Sequence, residues 1–339
     1  MSTIAGAFTE TQLLEQRVRA EAIMFDDRIK QQYIPSADVL KALYAVQTAN
    51  VLTPIAKKKD TTVAVEWMNT CDMEEEANGE CEIGGTKSST NTEEYVIERE
   101  KVVNFSASEV DFIDNDFDIS ESISKQFLTA DKLLTEGFAA YFVAQLNAFA
   151  GVNATAPEGK GDITGAITFI DPAYLNADLF AYLHRVRAMN RFASGSAITS
   201  GNILWEQAYL AAAKQGNANG SGDAVLFNSF PHYFDLFNID TVNAGTNEFY
   251  MLSTGSVAQA WKTYNPDSPQ VVNGVFTRYT MPSQFMPNVK FDVFYKPECS
   301  YDMVIHNFKV KLTADIFNNP AGCSATNTGV LRFRCGSPS

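Results

Sequence analysis

The residues whose types and spacing can support chemistry are concentrated in one acidic segment. Cys71 and Cys81 bracket the stretch DMEEEANGE. One interpretation is a disulfide that closes a hairpin tip, which requires an oxidising medium. A second interpretation is a calcium or magnesium site with four carboxylate ligands, namely Asp72, Glu74, Glu75 and Glu76. These carboxylates are crowded and lack the spacing of a dedicated calcium loop, so an acidic solvated tip with free thiols is favoured.

The remaining candidates for catalysis or metal binding are scattered along the chain. The three histidines, His184, His232 and His306, lie in different predicted elements, which favours packed or surface roles. No nucleophile elbow, P-loop, dinucleotide fingerprint or metal-spaced histidine pair is present. Cys323 and Cys335 can pair across a C-terminal loop, although free thiols are favoured. We therefore predict a protein that is not an enzyme and has no cofactor or metal.

Four aspartates, Asp111, Asp114, Asp116 and Asp118, alternate with apolar residues just before a long helical pattern. A general acid/base pair is one interpretation of these carboxylates. Carboxylates at a helix N-terminus are stabilised by the helix dipole, and this explains the group better.

Net charge and hydropathy exclude several classes of protein. The formal net charge of the 339 residues is −14, and residues 69–100 hold ten acidic and two basic residues. Because phosphate binding needs clustered Lys and Arg, this charge distribution argues against a surface that binds nucleic acid. No run of 18 apolar residues is present, so no membrane-spanning helix is predicted. The N-terminus lacks the pattern of a secretory signal, which predicts a protein made and kept in a cytoplasm.

The longest element that the sequence predicts is a helix from Asp118 to Ala150. Its apolar residues recur at steps of three and four and form one stripe: Ile123, Phe127, Ala130, Leu134, Phe138, Phe142, Leu146 and Phe149. Asp118 followed by Glu121 predicts a capping box, and Gly151 predicts the stop. Gly137, inside the helix, predicts a bend or a close packing contact.

An extended hairpin is predicted before this helix. Residues 61–68 and 95–105 have the alternation of strands, and about 26 polar residues connect them. Such a hairpin cannot carry its own core, and so long a connection is usually functional. Its predicted use is to reach a neighbouring molecule.

The rest of the chain is predicted to alternate helices and strands. Helical patterns cover 9–33, 37–48, 173–192, 202–215, 230–237 and 256–263. Short strands are predicted at 197–199, 224–227 and 248–252, followed by a β-rich region over 271–317 and a last strand at 330–335.

This order of parts resembles the Hong Kong 97 fold of tailed-bacteriophage major capsid proteins. The resemblance implies an α+β fold with an N-terminal arm, an extended E-loop hairpin, a long spine helix, a peripheral domain and an axial α/β domain. The implied limits are 1–57 for the arm, 58–117 for the E-loop, 118–163 for the spine helix with the start of the peripheral domain, 164–287 for the axial domain and 288–339 for the returning strands and tail.

The resemblance also implies a structural function and partners. Copies of the chain would form hexamers and pentamers of an icosahedral shell that encloses double-stranded DNA without sequence-specific binding. Shell assembly in the host bacterial cytoplasm, a location in the virion, and portal, scaffolding or decoration partners follow from the same resemblance, and no membrane partner does. The acidic stretch 72–82 would meet a basic surface of a neighbour, with candidates Lys57, Lys58, Lys59, Arg332 and Arg334, and Gly137 is the candidate hinge.

Two alternatives remain open at this point. An encapsulin-like compartment has the same fold, but it requires a cargo pocket that the sequence does not identify. A cytoplasmic α/β enzyme that uses Asp or Glu lacks a convergent set of titratable residues.

Overall fold

The structure of the chain is a computed structural model. It describes residues 7–24, 31–47, 50–52, 62–68, 90–112, 118–175, 177–192, 195–205, 225–227, 230–300, 303–319 and 328–336. The helices are α1 (Glu10–Ile23), α2 (Val39–Val46), α3 (Ile119–Phe149), α4 (Ala177–Met189) and α5 (Asn238–Val242), with 3-10 turns at Glu109–Phe112 and Pro172–Tyr174. Within these ranges, no helix combines the length and apolar character needed to cross a membrane.

The strands belong to three sheets. The first strands are β1 (Asn50–Leu52), β2 (Thr62–Met68), β3 (Thr90–Val96), β4 (Glu100–Ser108), β5 (Gly161–Thr164), β6 (Ile167–Ile170), β7 (Ala197–Ser200) and β8 (Val225–Phe227). The others are β9 (Phe230–Phe234), β10 (Glu248–Leu252), β11 (Val257–Trp261), β12 (Gln270–Val272), β13 (Phe276–Pro282), β14 (Lys290–Ser300), β15 (Met303–Asn318) and β16 (Val330–Cys335).

The predicted long helix is confirmed as α3, which has 31 residues. Asp118 caps it by accepting a hydrogen bond from the Ser120 amide at 2.9 Å. The predicted reciprocal bond from Glu121 is replaced by an ion pair with Lys125 at 2.6 Å. The helix ends at Phe149. Two residues later, the Gly151 amide donates a hydrogen bond to the Val330 carbonyl of β16 at 2.9 Å.

The apolar stripe of α3 packs on an antiparallel sheet in the order β11–β15–β14–β13–β12, to which β4 adds by pairing with β15. The Phe127 ring lies edge-on to Phe105 of β4 at 5.0 Å and to Phe308 of β15 at 5.1 Å. Ile123, Phe127, Leu134, Phe138 and Phe142 are all at least 97% buried. The stripe therefore faces β4 and the C-terminal strand β15.

A second, seven-stranded sheet has the order β5–β6–β16–β10–β7–β9–β8. This sheet and α4 form a core that includes Leu183, Phe249 and Phe333. The rings of Phe249 and Phe333 stack with their centroids 4.7 Å apart. β16 lies in this sheet although β14 and β15, its predecessors, lie in the first sheet. The predicted domain limit at residue 287 falls between β13 and β14, which pair with each other in one sheet. Strand pairing therefore crosses this predicted limit.

Three sequence predictions were wrong in the type or extent of an element. Residues 230–237 and 256–263 were predicted as helical, but they contain β9 and β11. Every described residue of β11 is buried or half-buried, so it lacks the polar face that distinguishes a strand from a helix. The predicted single strand 95–105 is two strands, because β3 pairs with β2 whereas β4 pairs with β15.

Candidate functional site

Much of the predicted contact segment falls outside the described residues. The predicted residues outside the described ranges are Lys57, Lys58, Lys59, Cys71, Asp72, Glu74, Glu75, Glu76 and Cys81. Their predicted roles in an inter-subunit contact, a metal site or a disulfide therefore remain predictions from the sequence.

Arg332 and Arg334 are brought together on one carboxylate. In the register of β10 and β16, Glu248 lies opposite Arg334 and Tyr250 opposite Arg332. Arg332 donates to Glu248 through Nε at 2.7 Å and through a terminal nitrogen at 2.8 Å, and Arg334 donates through Nε at 2.7 Å. Residues two apart on a strand share a face, so the spacing of the arginines produces this fork.

The Glu248 carboxylate is fully buried, with a side-chain exposure of 0%. Burial raises its pKa, but the hydrogen bonds and charges of Arg332 and Arg334 outweigh burial, and the net pKa lies below the ordinary value. The carboxylate also accepts from Thr246 at 3.0 Å and from Tyr250 at 3.2 Å. Glu248, Arg332 and Arg334 together keep a net charge of +1. Both arginines bind Glu248 of the same chain, so their contact with a neighbouring molecule stays a prediction.

Gly137 lies on the exposed side of α3, in an unbroken helix. Arg99 donates to the Gly137 carbonyl at 2.6 Å and places its guanidinium 4.1 Å from the centre of the Tyr141 ring. A Cβ on Gly137 would meet no heavy atom within 4 Å. The predicted close packing at Gly137 is therefore wrong, and its role as a hinge remains a prediction.

The other candidates for chemistry have structural positions. His232 is buried, and burial together with the charge of His184 lowers its pKa to about 3. Cys335 is a free thiol among the described residues, and burial raises its pKa to about 12. Cys323, its alternative partner, lies outside those residues. Across the described part of the chain, no three His, Cys, Asp or Glu side chains form a group able to hold a metal ion.

His306 forms an anchor for the N-terminal segment. The Phe8 ring stacks on the imidazole with centroids 4.2 Å apart, and the Phe8 amide donates to the Tyr295 hydroxyl at 3.0 Å. The Tyr295 oxygen lies 2.9 Å from His306 Nδ1, and Glu109 lies 3.6 Å from Nε2. With Nδ1 unprotonated, the hydroxyl donates to His306 and accepts from Phe8, so one hydroxyl joins three segments of chain.

The anchor predicts a release of the N-terminal segment in acid. Burial lowers the pKa of His306, and the charge of Glu109 opposes this lowering. The contribution of His306 to stability is therefore fully present above the unfolded pKa near 6.5 and is lost as pH falls below it. We expect tryptic cleavage at Arg17 and Arg19 to accelerate between pH 7.5 and 5.5, after correction for trypsin activity on a peptide.

Phe8→Ala, which removes a stacking contact of about 1 kcal/mol, should speed cleavage about 5-fold at pH 7.5. Equal rates for both proteins would contradict the anchor.

The three-stranded sheet β1–β2–β3 is attached to the body through an aromatic cluster. Tyr95 stacks on Phe317 at 4.3 Å, and Trp67 lies edge-on to Tyr95 at 6.4 Å and donates to its hydroxyl at 3.1 Å. Val63, Val65 and Trp67 are all at least 99% buried, which confirms that they share one packed face. The predicted hairpin therefore has a fixed base although it lacks a core of its own.

Sequence reasoning did not identify Glu248 and Asp131 as buried carboxylates. Glu248 begins the apolar strand EFYML, and the pair Arg332 and Arg334 on one strand face is the signal that a partner exists. Asp131 lies within α3, at a place where a charged residue interrupts the buried positions. Nothing in the local sequence identifies Ser283 and Gln284 as the partners of Asp131.

Solved structures similar to the chain come from phages. A chain described as the capsid structure of the cyanophage P-SCSP1u matches with a TM-score of 0.47 and 8% identity, covering 87% of this chain and 88% of that chain. The fold is similar to that of phage capsid chains. A chain of the cyanophage Pam1 capsid asymmetric unit gives a TM-score of 0.44 and 12% identity, covering 83% and 86%. A chain of Mycobacterium phage Che8 gives 0.45 and 11%, covering 84% and 92%.

No protein-family model matches the sequence, and no curated protein matches it. At identities of 8% and 12% the likeness to capsid chains concerns the fold. The mixed α+β architecture predicted from the sequence is confirmed by the helices and sheets of the structure.

Proposed function

We propose that the chain is a major capsid protein that self-assembles as hexamers and pentamers into an icosahedral shell around double-stranded DNA. The observation that supports this proposal is the arrangement of its parts. A segment anchored at Phe8, a projecting three-stranded sheet, a 31-residue helix under an antiparallel sheet and a second sheet with α4 follow one another along the chain. A rigid helix with contact elements at both ends suits a subunit that must hold several neighbours at fixed distances.

The described surface is also consistent with a structural role. The buried polar side chains Asp131, Glu248 and His306 each bind other parts of the same chain. The proposed shell is formed of copies of this chain, with portal and with scaffolding or decoration proteins as further partners, in the virion after assembly in the host bacterial cytoplasm. Contacts between copies then take the place of a catalytic site.

Electron microscopy of the purified protein tests the proposal. Negative stain should show closed shells or ring-shaped capsomers, whereas a compact monomer or dimer at every protein concentration would contradict the proposal. Particles isolated from the natural source should contain double-stranded DNA. Shells that contain protein cargo and no nucleic acid would favour the encapsulin-like alternative.

The acidic segment 72–82 supplies a test of the contact between copies. The triple variant Glu74→Lys, Glu75→Lys and Glu76→Lys should lower the yield of particles at least about 10-fold, because like charges then face the basic surface of a neighbour. Its thermal midpoint as a monomer should stay within about 2 °C, because the sequence predicts a solvated tip there and substitutions at solvated positions change stability little. The matched control reverses three exposed carboxylates elsewhere, Glu10, Asp111 and Asp162. Normal particles from the first variant would contradict the contact.

A further inference from the structure

An open groove of 520 Å³ lies on the face of the antiparallel sheet that points away from α3. Phe105 of β4 and Phe308 of β15 pack on Phe127 of α3, so the residues that alternate with them point to the opposite side. The groove is lined by these alternating residues and by two rings of β13 and β14: Asn104, Ser106, Asn307, Lys309, Phe276 and Phe294. It therefore combines aromatic rings, short polar side chains and a cation from four strands.

The two rings of the groove offer flat apolar surface to a ligand. The centroids of Phe276 and Phe294 lie 6.3 Å apart, and both residues are half-buried. Asn104 and Ser106 beside them are exposed. Amide and hydroxyl groups both donate and accept hydrogen bonds, so they can bind the polar edge of a planar group that stacks on a ring.

The sheet brings together cations that are far apart along the chain. Arg278 lies opposite Phe294, and Phe294 lies opposite Lys309. Lys311 follows two residues after Lys309, about 7 Å further along β15 at about 3.4 Å per residue. The sequence argues against a nucleic-acid surface because Lys and Arg are not clustered along it, whereas strand pairing clusters them on this face.

Two of these cations have capacity for an anion. Lys309 is exposed and lies 5.9 Å from the centre of the Phe294 ring, with no carboxylate in salt-bridge distance among the described residues. Arg278 has a buried Nε without a hydrogen-bond partner in that same part of the chain.

Three carboxylates on this face are already engaged. Glu298 and Glu100 pair with neighbouring lysines at 2.6 and 2.5 Å. Asp292 is buried and accepts hydrogen bonds from two backbone amides at 3.0 and 2.9 Å. Lys309 and Arg278 are therefore available to an incoming anion.

A ligand that uses the whole groove must carry negative charges with flat groups between them. Single-stranded nucleic acid has this character, because its phosphates bind Lys and Arg while its unstacked bases lie on aromatic side chains. Sheet faces with exposed aromatic rings bind single strands in this way. A duplex keeps its bases stacked on one another and presents phosphates alone, and a run of acidic residues supplies charge without flat groups.

We propose that this groove binds single-stranded nucleic acid without sequence preference. Bases stack on Phe294 and Phe276, and Lys309 and Arg278 contact the phosphates. Sequence preference is absent because every base has a face that can stack. The inference goes beyond the proposed shell and does not depend on it, since one copy of the chain carries the whole groove.

Fluorescence anisotropy of labelled oligonucleotides tests the inference. The unassembled chain, separated from any particles by sedimentation, is titrated into fluorescein-labelled oligo(dT) and oligo(rU) of about 15 nucleotides and into a duplex of the same length. At low salt we expect a Kd of about 10 µM for a single strand and binding at least about 10-fold weaker for the duplex. Binding of either single strand supports the inference, and the tighter of the two identifies the sugar. A duplex that binds as tightly as both single strands, or no binding of either strand, would overturn it.

Competition separates nucleic acid from acidic protein. Unlabelled polyglutamate of equal length should displace labelled oligo(dT) at least about 10-fold less well than unlabelled oligo(dT), because it has charge but no bases. Equal displacement would show a general site for polyanions and would overturn the stacking of bases.

Variants of the groove separate stacking from charge. Phe294→Leu keeps an apolar side chain without a ring and should weaken the binding of oligo(dT) about 10-fold. Lys309→Gln removes one phosphate contact and should lower the slope of log K against log salt by about 0.7. The thermal midpoint of each variant verifies that it is folded.

Lys290→Gln is the matched control for charge. Lys290 begins the strand that carries Phe294, pairs with Asp267 at 2.8 Å and does not line the groove, so its removal should leave the salt slope unchanged. Equal effects of Lys309→Gln and Lys290→Gln would overturn the inference. Sedimentation reports the proposed function separately, since a chain that binds oligo(dT) but forms no particles contradicts the shell alone.

Discussion

Glu248→Gln is expected to lower the free energy of unfolding by about 3 kcal/mol. The substitution removes the negative charge between Arg332 and Arg334, whose side chains are only 16% and 29% exposed. Removing one member of a buried ion pair costs about 3–5 kcal/mol, and the lower figure applies because both guanidinium groups keep some contact with water. For a chain of this size the thermal midpoint should fall by roughly 6 °C.

Two variants make this expectation specific. Glu158→Gln removes an exposed ion pair with Arg185, whose partners are 78% and 41% exposed, and should cost less than about 1 kcal/mol. The triple variant Glu248→Gln, Arg332→Met and Arg334→Met also removes the two arginine charges that Glu248→Gln leaves without a carboxylate partner. It should therefore be more stable than Glu248→Gln alone. A midpoint for Glu248→Gln within about 1 °C of the parent would show that the carboxylate is not needed by the arginines.

Asp131 is expected to make the stability of the protein depend on pH in the opposite sense from an ordinary surface ion pair. Its carboxylate is 1% exposed and accepts from Ser283 at 2.8 Å, the Gln284 amide at 2.6 Å and Thr135 at 3.2 Å. Burial raises its pKa to about 6, against the lowering effect of these hydrogen bonds. The contacts join α3 to the loop between β13 and β14.

The sign follows from proton binding. Because the folded pKa lies above the unfolded value of 3.8, the folded state binds more protons between pH 3.8 and 6, and this part of the stability is lost as pH rises through that window. The shift of about two units corresponds to about 3 kcal/mol. The difference in stability between the parent and Asp131→Asn should therefore fall by about 2.5 kcal/mol from pH 4 to pH 7, most of the full shift.

Urea denaturation of the two proteins at pH 4, 5, 6 and 7 measures this difference, in which the other carboxyl groups cancel. Asp162→Asn, at an exposed position, serves as the control and should change stability by less than about 0.5 kcal/mol at each pH. A difference that is constant with pH, or one that grows as pH rises, would contradict the raised pKa of Asp131.

Local periodicity was enough to predict the elements that bury one face. The stripe from Ile123 to Phe149 specified α3, because a helix with one apolar face repeats every 3.6 residues whatever it packs against. The alternation of Val63, Val65 and Trp67 specified β2 in the same way. The same patterns failed for β11, since Ala258 and Ala260 are buried on a strand whose pairing with β15 depends on residues more than 50 positions away.

Charge composition identified the acidic segment, but the sequence could not show which cations face it. The structure shows Arg332 and Arg334 bound to Glu248, 84 and 86 residues away, and their contact with a neighbouring copy stays a prediction.

The sequence by itself determined the order of the parts: a helical N-terminal segment, an acidic hairpin, one long amphipathic helix, and alternating elements followed by strands. Only the tertiary structure decided that β16 joins the seven-stranded sheet, that Asp131 and Glu248 are buried with partners, and that Phe8 rests on His306. The physical reason is range. Helix and strand periodicity is set by residues a few positions apart, whereas strand order and the pairing of buried charges are set by contacts between residues that are distant along the chain.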